Sequence, residues 1–273
     1  MTNCKVISFI NMKGGVGKTT LCLSLGEYLA RFKNRKVLFI DVDPQFNLTQ
    51  SLLNEFNLED QYLDDIYKNR NICNIFASSK SVSEKDSIPV ASDLIIDLDD
   101  KMSLIPGSID LIFEDSKNDI GKTMKINKFI KSNNLNETYH YIFIDCPPTI
   151  SLYTDSALYA SDYYLVPNRV DRYSILGIKL LKQVVDRLVS DMEIKIMPLG
   201  IVYTILDNDL TDKTKKLMDV FEKDKIVQEM GLFTNTTTFV RDLAVGYQGN
   251  IASKYSRSKE DIANIADEFE SLI

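Results

Sequence analysis

The sequence predicts an α/β protein with one doubly wound, mostly parallel sheet covered by helices on both faces. Largely apolar runs recur at Val6 to Ile10, Lys36 to Ile40, Tyr141 to Asp145, Tyr163 to Pro167 and Ile194 to Thr204, without the alternation of half-exposed strands. Stretches of helical spacing separate them, as a parallel sheet requires. Chemistry-bearing residues stand where several of these runs end, and in an open parallel sheet that edge is where ligands sit. No composition break demands a boundary, so the 273 residues are expected to form one domain, 1–273.

The first run leads into Asn11 to Thr20, NMKGGVGKTT, and then into a helix marked by Leu21, Leu25, Tyr28 and Leu29. Strand, glycine loop, helix is the context of a phosphate cradle. Gly14, Gly15 and Gly17 let the backbone, Val16 included, turn its N–H groups toward an anion with no Cβ in the way. The helix beginning near Lys18 adds its positive dipole end through Thr19 and Thr20. Lys18 is placed to reach the β and γ phosphates, and Thr19 to ligate Mg²⁺. The strict pattern GxxxxGK[ST] fails at Met12, and a second lysine, Lys13, heads the loop instead. A dinucleotide fingerprint fits worse, because Thr20 occupies its third glycine.

The second run ends in DVDPQFNLT. Asp41 and Asp43, two residues apart in an extended segment, lie on one side at the strand's carboxyl end; a turn cap at Pro44 is the plainer role for Asp43. Asn47 to Phe56 and Asp60 to Asn69 carry helical spacing, Ile72 to Ala77 continues the layer, and Ser78 to Ser87 reads as a surface loop. Asp93 to Pro106 is expected to hold one or two short strands ending in SLIPGS, before a helix from Ser108 to Glu114. Ser116 to Glu137, rich in Asn and Lys, is expected to be an exposed, mobile helix and loop. Tyr141 to Asp145 closes on an acid, the Walker B arrangement in which Asp145 holds the magnesium-bound water. The prolines of DCPP stop that strand. Ser151 to Ala160 follows as a helix. Ser174 to Val189 reads as a long amphipathic helix with Ile175, Ile178, Leu181, Val184 and Leu188 on its face.

KGGVGKT, DVDPQ and DCPP, in this order, resemble the deviant Walker A motifs of the ParA/MinD family of ATPases, and the resemblance covers nearly the whole chain. It implies a P-loop NTPase fold, ATP and Mg²⁺ as cofactors, and hydrolysis to ADP and phosphate. By that resemblance Lys13 crosses a dimer interface to the partner's nucleotide, and Asp41 positions the attacking water. Asp43 supports the loop and the magnesium shell with Thr19 and Asp145, and adenine-side contacts fall around Thr204 to Asn208. Phe46 departs from the small residue usual after DPQ. The segment FVRDLAVGYQGNIASKYSRSKED is similar to the family's DNA-contacting region, which makes Arg241 the transferred DNA candidate, with Lys254, Arg257 and Lys259 as weaker additions. The function implied is that of a small ParA-type partition ATPase. Its ATP-bound homodimer binds nonspecific DNA, and a ParB-type adaptor stimulates hydrolysis to move a plasmid or chromosome origin. Positioning of a protein cargo, such as a chemoreceptor array or a carboxysome, is the alternative. A Walker-type tyrosine kinase is less favoured, since no tyrosine cluster follows Tyr255.

Composition narrows the partners. A net charge of −7 and a pI near 4.9 argue against a globally basic nucleic-acid binder, so DNA contact needs a local patch. No apolar run approaches a membrane span and no signal peptide is legible, which predicts a cytoplasmic, nucleoid-associated protein. The helix Glu260 to Ile273, with Asp261, Asp267, Glu268 and Glu270, should be repelled by anionic lipid. The first strand begins close to Met1, so no helix-turn-helix extension is expected. Cys4, Cys22, Cys73 and Cys146 form no CxxC pair and read as packing residues; the single histidine, His140, precedes a strand and is not expected to be catalytic.

Overall fold

A computed structural model describes residues 4–61, 69–77, 88–114 and 120–273. In chain order its main elements are β1 (Lys5–Phe9), α1 (Lys18–Lys33), β2 (Val37–Asp41), α2 (Asn47–Glu55), β3 (Ile96–Asp97), β4 (Met102–Ile105), α3 (Lys125–Ser132) and β5 (Tyr141–Asp145). There follow α4 (Leu152–Ala160), β6 (Tyr163–Asn168), α5 (Ser174–Met192), β7 (Met197–Tyr203), α6 (Asp212–Glu222), α7 (Lys225–Met230) and α8 (Ser256–Leu272). The sheet order is β3-β4-β2-β5-β1-β6-β7. Among the described residues only the edge pair β3–β4 is antiparallel; the pairings of β4 with β2, β2 with β5, β5 with β1, β1 with β6 and β6 with β7 are parallel.

The doubly wound arrangement follows from strands that are apolar on both sides. In β1, Val6 faces one core with Ile10, while Ile7 and Phe9 face the other; β2 and β5 divide in the same way, with Leu38 and Ile142 opposed to Phe39 and Phe143. One face is covered by α1, α2 and α8 through Leu25, Leu52 and Phe269. The other is covered by α3, α4, α5 and α7 through Phe129, Ala157, Leu181 and Val227. Neither side of the central strands meets water, so the period-two polar signal has no reason to exist.

Several local expectations change. Of the expected 116–137, residues 116–119 lie outside the described residues; in the rest Ile126 and Phe129 of α3 are fully buried, and Asn127 and Asn133 are half-buried and donate to the Tyr159 and Pro89 carbonyls, so α3 is packed on the core rather than exposed. On α5 the buried apolar positions are Ile178, Leu181, Val185 and Leu188, with Val185 in the place expected of Val184, because the 3-4-3 spacing keeps the stripe on one side. Ile175 packs half-buried at its margin. Of the helix expected from Asp60 to Asn69, Glu59–Gln61 is described, whereas 62–68 lie outside the described residues, as do 78–87, expected as a loop. The acids of α8 are spent on the chain itself. Asp267 pairs with Lys33, and Glu270 accepts from Arg35 Nε at 2.7 Å. Asp261 and Glu268 accept the backbone N–H groups of Thr238 and Thr234 at 2.8 and 2.7 Å.

Gly26 sets the distance between α1 and the sheet. A Cβ there would stand 2.4 Å from the Phe39 ring and 3.2 Å from the Phe143 ring. Both rings are fully buried and packed edge-on to each other with centroids 6.3 Å apart, so neither can yield freely. Overpacking costs about 1–3 kcal/mol, against a helix-propensity gain of about 1 kcal/mol for replacing glycine by alanine. Gly26→Ala is therefore expected to lower the urea unfolding midpoint; an unchanged or raised midpoint would show a slacker contact.

Candidate nucleotide-binding site

The strand order brings together motifs far apart in sequence. β5 lies between β1 and β2, so Asp145 stands level with Phe9 on one side and with Asp41 on the other. Three parallel strands thus end side by side in the glycine loop, in DCPP and in DVDPQ. All point the same way, and α1 begins directly above them.

The loop is held from behind. Asn11, buried at the end of β1, donates from Nδ2 to the Pro167 carbonyl at 2.8 Å and accepts the Lys13 N–H at 3.0 Å. The Thr204 hydroxyl donates to the Val16 carbonyl at 2.6 Å. Gly15 and Gly17 take φ of 71° and 77°, values that a Cβ would strain. No side chain caps the α1 N-terminus and no acid stands in its first turn. Its first N–H groups therefore remain able to bind an anion. Lys18 Nζ donates to the Lys13 carbonyl at 3.3 Å, at the mouth of the loop.

Opposite the loop lie the acids. Asp41 is fully buried. Its Oδ2 accepts both the N–H and the hydroxyl of Thr49, at 2.9 and 2.7 Å, and its Oδ1 accepts the Asp43 N–H at 3.2 Å. The Thr49 hydroxyl in turn accepts the Gly107 N–H at 2.8 Å, which ties Asp41 to the end of β4. Asp43 Oδ1 accepts the Gln45 N–H at 2.9 Å, so the turn-capping role is present. Phe46, the departure from the usual small residue, opens α2 in the left-handed region at φ 41°. The Thr19 hydroxyl donates to Asp145 Oδ2 at 2.6 Å, whereas Asp145 Oδ1 is buried with no hydrogen-bond partner.

These groups perturb one another. Burial pushes the Asp41 carboxyl up to about 7, with the charge of Asp43 adding to it and the Thr49 hydrogen bonds opposing it. Asp145 is raised well above the ordinary range by burial and then by Asp41. Burial lowers Lys18 against the pull of Asp145 and Asp43. One lysine does not balance three clustered carboxylates, and an orphaned carboxylate oxygen remains among them. That donor set suits a hard cation. Among the described residues no group of three or more His, Cys, Asp or Glu side chains could hold a metal alone. The Thr19 hydroxyl and the Asp145 carboxylate with its unpartnered Oδ1 fit Mg²⁺, which keeps waters and phosphate oxygens in its shell.

A cavity of about 560 Å³ opens beside the loop, lined among others by Gly17, Thr19, Thr20, Thr204, Thr237 and Phe239. Thr204 is thus on its wall, while Asn208 is exposed and lies off it. Sequence reasoning missed the Thr237 to Val240 part of that wall, and also Thr49 and Asn11. A buried-facing hydroxyl eight residues after an acid is not a motif, and only the fold brings Thr49 back to Asp41.

The four DNA candidates do not share one environment. Arg241 is exposed at the start of the short helix Arg241–Ala244 and has no ion pair among the described residues. Lys254 is paired with Glu55, and Arg257 stands 3.8 Å from Asp261. The Lys259 ammonium lies over the Phe32 ring, 4.3 Å from its centroid.

A family model described as an AAA domain, AAA_31, matches residues 4–197 and so spans all three motifs. The chain belongs to the ParA/MinD family of ATPases. It is 28% identical to the virulence plasmid ParA family protein pGP5-D of Chlamydia psittaci, over 98% of this chain and 95% of that one. In fold, this ParA-type chain resembles a plasmid partition protein from Borrelia burgdorferi solved with AMPPNP, with a TM-score of 0.72 at 23% identity over 99% and 100% of the two chains. It also resembles apo McdA from Cyanothece, with a TM-score of 0.77 at 18% identity over 98% and 99%. No helix among the described residues is long and apolar enough to cross a membrane.

The perturbed Asp41 makes a signed prediction for this ParA-family chain. Unfolded, an aspartate titrates near 3.9; folded, Asp41 holds its proton up to about 7. Between these values the native state binds the extra proton, so stability falls as pH rises through the window. Asp41→Asn removes that titration. Its stability relative to the natural chain should climb between about pH 5 and about pH 8, by on the order of 2 kcal/mol, in calorimetric melts at fixed ionic strength. A pH-independent difference would mean that Asp41 titrates normally in the fold.

Proposed function

We propose that this chain is an Mg²⁺-dependent ATPase of the DNA-partition type. The carrying observation is the convergence of an uncapped helix N-terminus, a loop lysine and the Asp41, Asp43, Asp145 cluster on one sheet edge. Phosphoryl transfer asks chiefly for alignment and neutralised charge, and these are the groups that supply both. The loop N–H groups and Lys18 hold the β and γ phosphates. Thr19 and Asp145, with Asp43 behind them, would hold Mg²⁺, which neutralises developing phosphate charge. Asp41, fixed by Thr49, retains acceptor capacity for the water that attacks the γ-phosphorus as the bond to the ADP oxygen breaks; the water's proton passes to Asp41 or to the released phosphate. The cavity beside Thr204 and Thr237 takes the nucleoside half.

In this reading ATP joins two protomers through Lys13, and the dimer binds nonspecific duplex DNA through a surface that includes Arg241. A ParB-type adaptor stimulates hydrolysis and releases the dimer, which moves a plasmid or chromosome origin from a cytoplasmic, nucleoid-associated pool. The plasmid ParA relative along almost the whole chain supports the partition reading. Positioning of a protein cargo stays as the second reading, with the fold likeness to McdA in its favour.

Binding to random-sequence duplex DNA tests the partition reading, while the partner separates it from the second. With ATP, but not with ADP or without nucleotide, the chain should bind, and roughly six phosphate contacts per dimer give a slope of log K against log salt near −5. Arg241→Ala should lose most of that binding, whereas Lys254→Ala should lose little because Glu55 already neutralises Lys254. Asp41→Ala should bind ATP and dimerise but not turn over. Absence of DNA binding in every nucleotide state would turn the assignment to a protein cargo, and normal turnover by Asp41→Ala would remove the role given to Asp41.

A further inference from the structure

The segment that carries Arg241 hangs between two firm anchors. Before it, the Phe239 N–H donates to the Leu206 carbonyl at 2.7 Å; after it, Ile251 and Ala252 are buried and the Ala252 N–H donates to the Ser24 hydroxyl at 3.1 Å. Between these anchors no residue of 241–250 is buried. Leu243 packs half-buried against the core, whereas Val245 is 70% exposed, so apolar burial does little to fix the turn. Its polar contacts converge on one phenol. Tyr255, largely buried just before α8, accepts the Gln248 N–H at 2.8 Å and donates to the Gly249 carbonyl at 2.8 Å. The Asp242 carbonyl, next to Arg241, lies 3.2 Å from the same hydroxyl and also accepts the Tyr247 N–H at 2.9 Å. Asn250 adds a contact to Ser51 Oγ at 3.1 Å. The inner side of the turn, at Leu243, Gly246 and Gly249, lines the cavity beside the phosphate loop, which leaves the exposed Arg241 for a partner.

We propose that Tyr255 is a positioning residue for duplex DNA: its hydroxyl closes the turn 241–249 and so holds Arg241 where a backbone phosphate can meet it. The inference rests on the DNA-binding reading given above. An arginine on a loose turn has to be ordered as it binds, and that ordering weakens the complex. A turn closed beforehand avoids the cost. One hydroxyl suffices because it accepts and donates at once, and both ends of the turn reach it, Asp242 on one side and Gln248 with Gly249 on the other. Its bonds are neutral, so the expected effect is modest, roughly three- to tenfold in affinity.

The experiment measures binding to a random-sequence duplex by fluorescence anisotropy, with a non-hydrolysable ATP analogue and Mg²⁺, over a series of salt concentrations. It compares the natural chain, Tyr255→Phe, Arg241→Ala and the double variant. Tyr163→Phe, which loses a hydroxyl at the start of β6, is the control. Tyr255→Phe keeps the ring and should bind roughly three- to tenfold more weakly, with Tyr163→Phe unchanged. Its slope of log K against log salt should become shallower by roughly 2, one contact from each of two protomers. In the Arg241→Ala background the same change should cost less than about twofold, because the residue it positions is gone. Amide exchange followed in parallel should quicken at Gln248 and stay slow in β1. If β1 exchange quickens too, the double variant still decides, since a general loss of stability would weaken binding in both backgrounds. Natural affinity in Tyr255→Phe, or an undiminished loss in the Arg241→Ala background, overturns the inference while leaving the DNA reading intact. If the natural chain binds no DNA, the DNA reading fails and the inference falls with it.

Discussion

Like charges buried side by side are the constraint on which this structure turns. The register of β2 on β5 sets Asp41 level with Asp145, and Asp43 follows two residues later. Carboxylates so placed cannot all ionise unless the fold supplies opposing groups. It supplies Lys18, the Thr19 hydroxyl, two donors from Thr49 and the amino end of α1. Burial raises the proton affinity of Asp41 and Asp145 despite these donors, and Asp145 Oδ1 is left without a partner. The remainder is left for a cation and a polyphosphate, which is why an unfavourable arrangement persists at the carboxyl ends of the central strands.

Much of the fold was legible because burial on both faces leaves a plain trace. Central strands read as uninterrupted apolar runs, and each boundary lay within a few residues of its motif. The phosphate loop was legible for a different reason: its chemistry requires particular residues at contiguous positions. What could not be read depends on contacts between distant segments. Thr49 acquires its meaning only when β2 turns back through Pro44, and the Thr237 to Val240 wall only when the chain returns after β7. α3 misled because asparagine and lysine dominate its composition while Ile126, Phe129 and Ile130 decide its packing.

The acids of α8 show how a surface property can be reassigned by folding. In sequence Asp261, Asp267, Glu268 and Glu270 are a negatively charged helix face. In the fold they bind Lys33, Arg35 and the backbone of 234–238. They anchor the segment that carries the cavity wall, and Phe269 docks the same helix on the Phe143 cluster. Charge balance over the whole chain therefore says little about what any one face presents to a partner.

The helix α2 is gripped at both ends by contacts that matter separately. Thr49 in its first half holds Asp41, and Glu55, its last residue, holds Lys254 and lies 3.7 Å from Arg31. Each helical residue advances about 100° around the axis. Adding or deleting a single residue between those two points would swing one grip to another face of the helix while the other stayed in place. The span from Thr49 to Glu55 is thus held to a fixed length as well as a composition, so insertions and deletions among relatives of this chain belong in the loops that flank the helix and not within it.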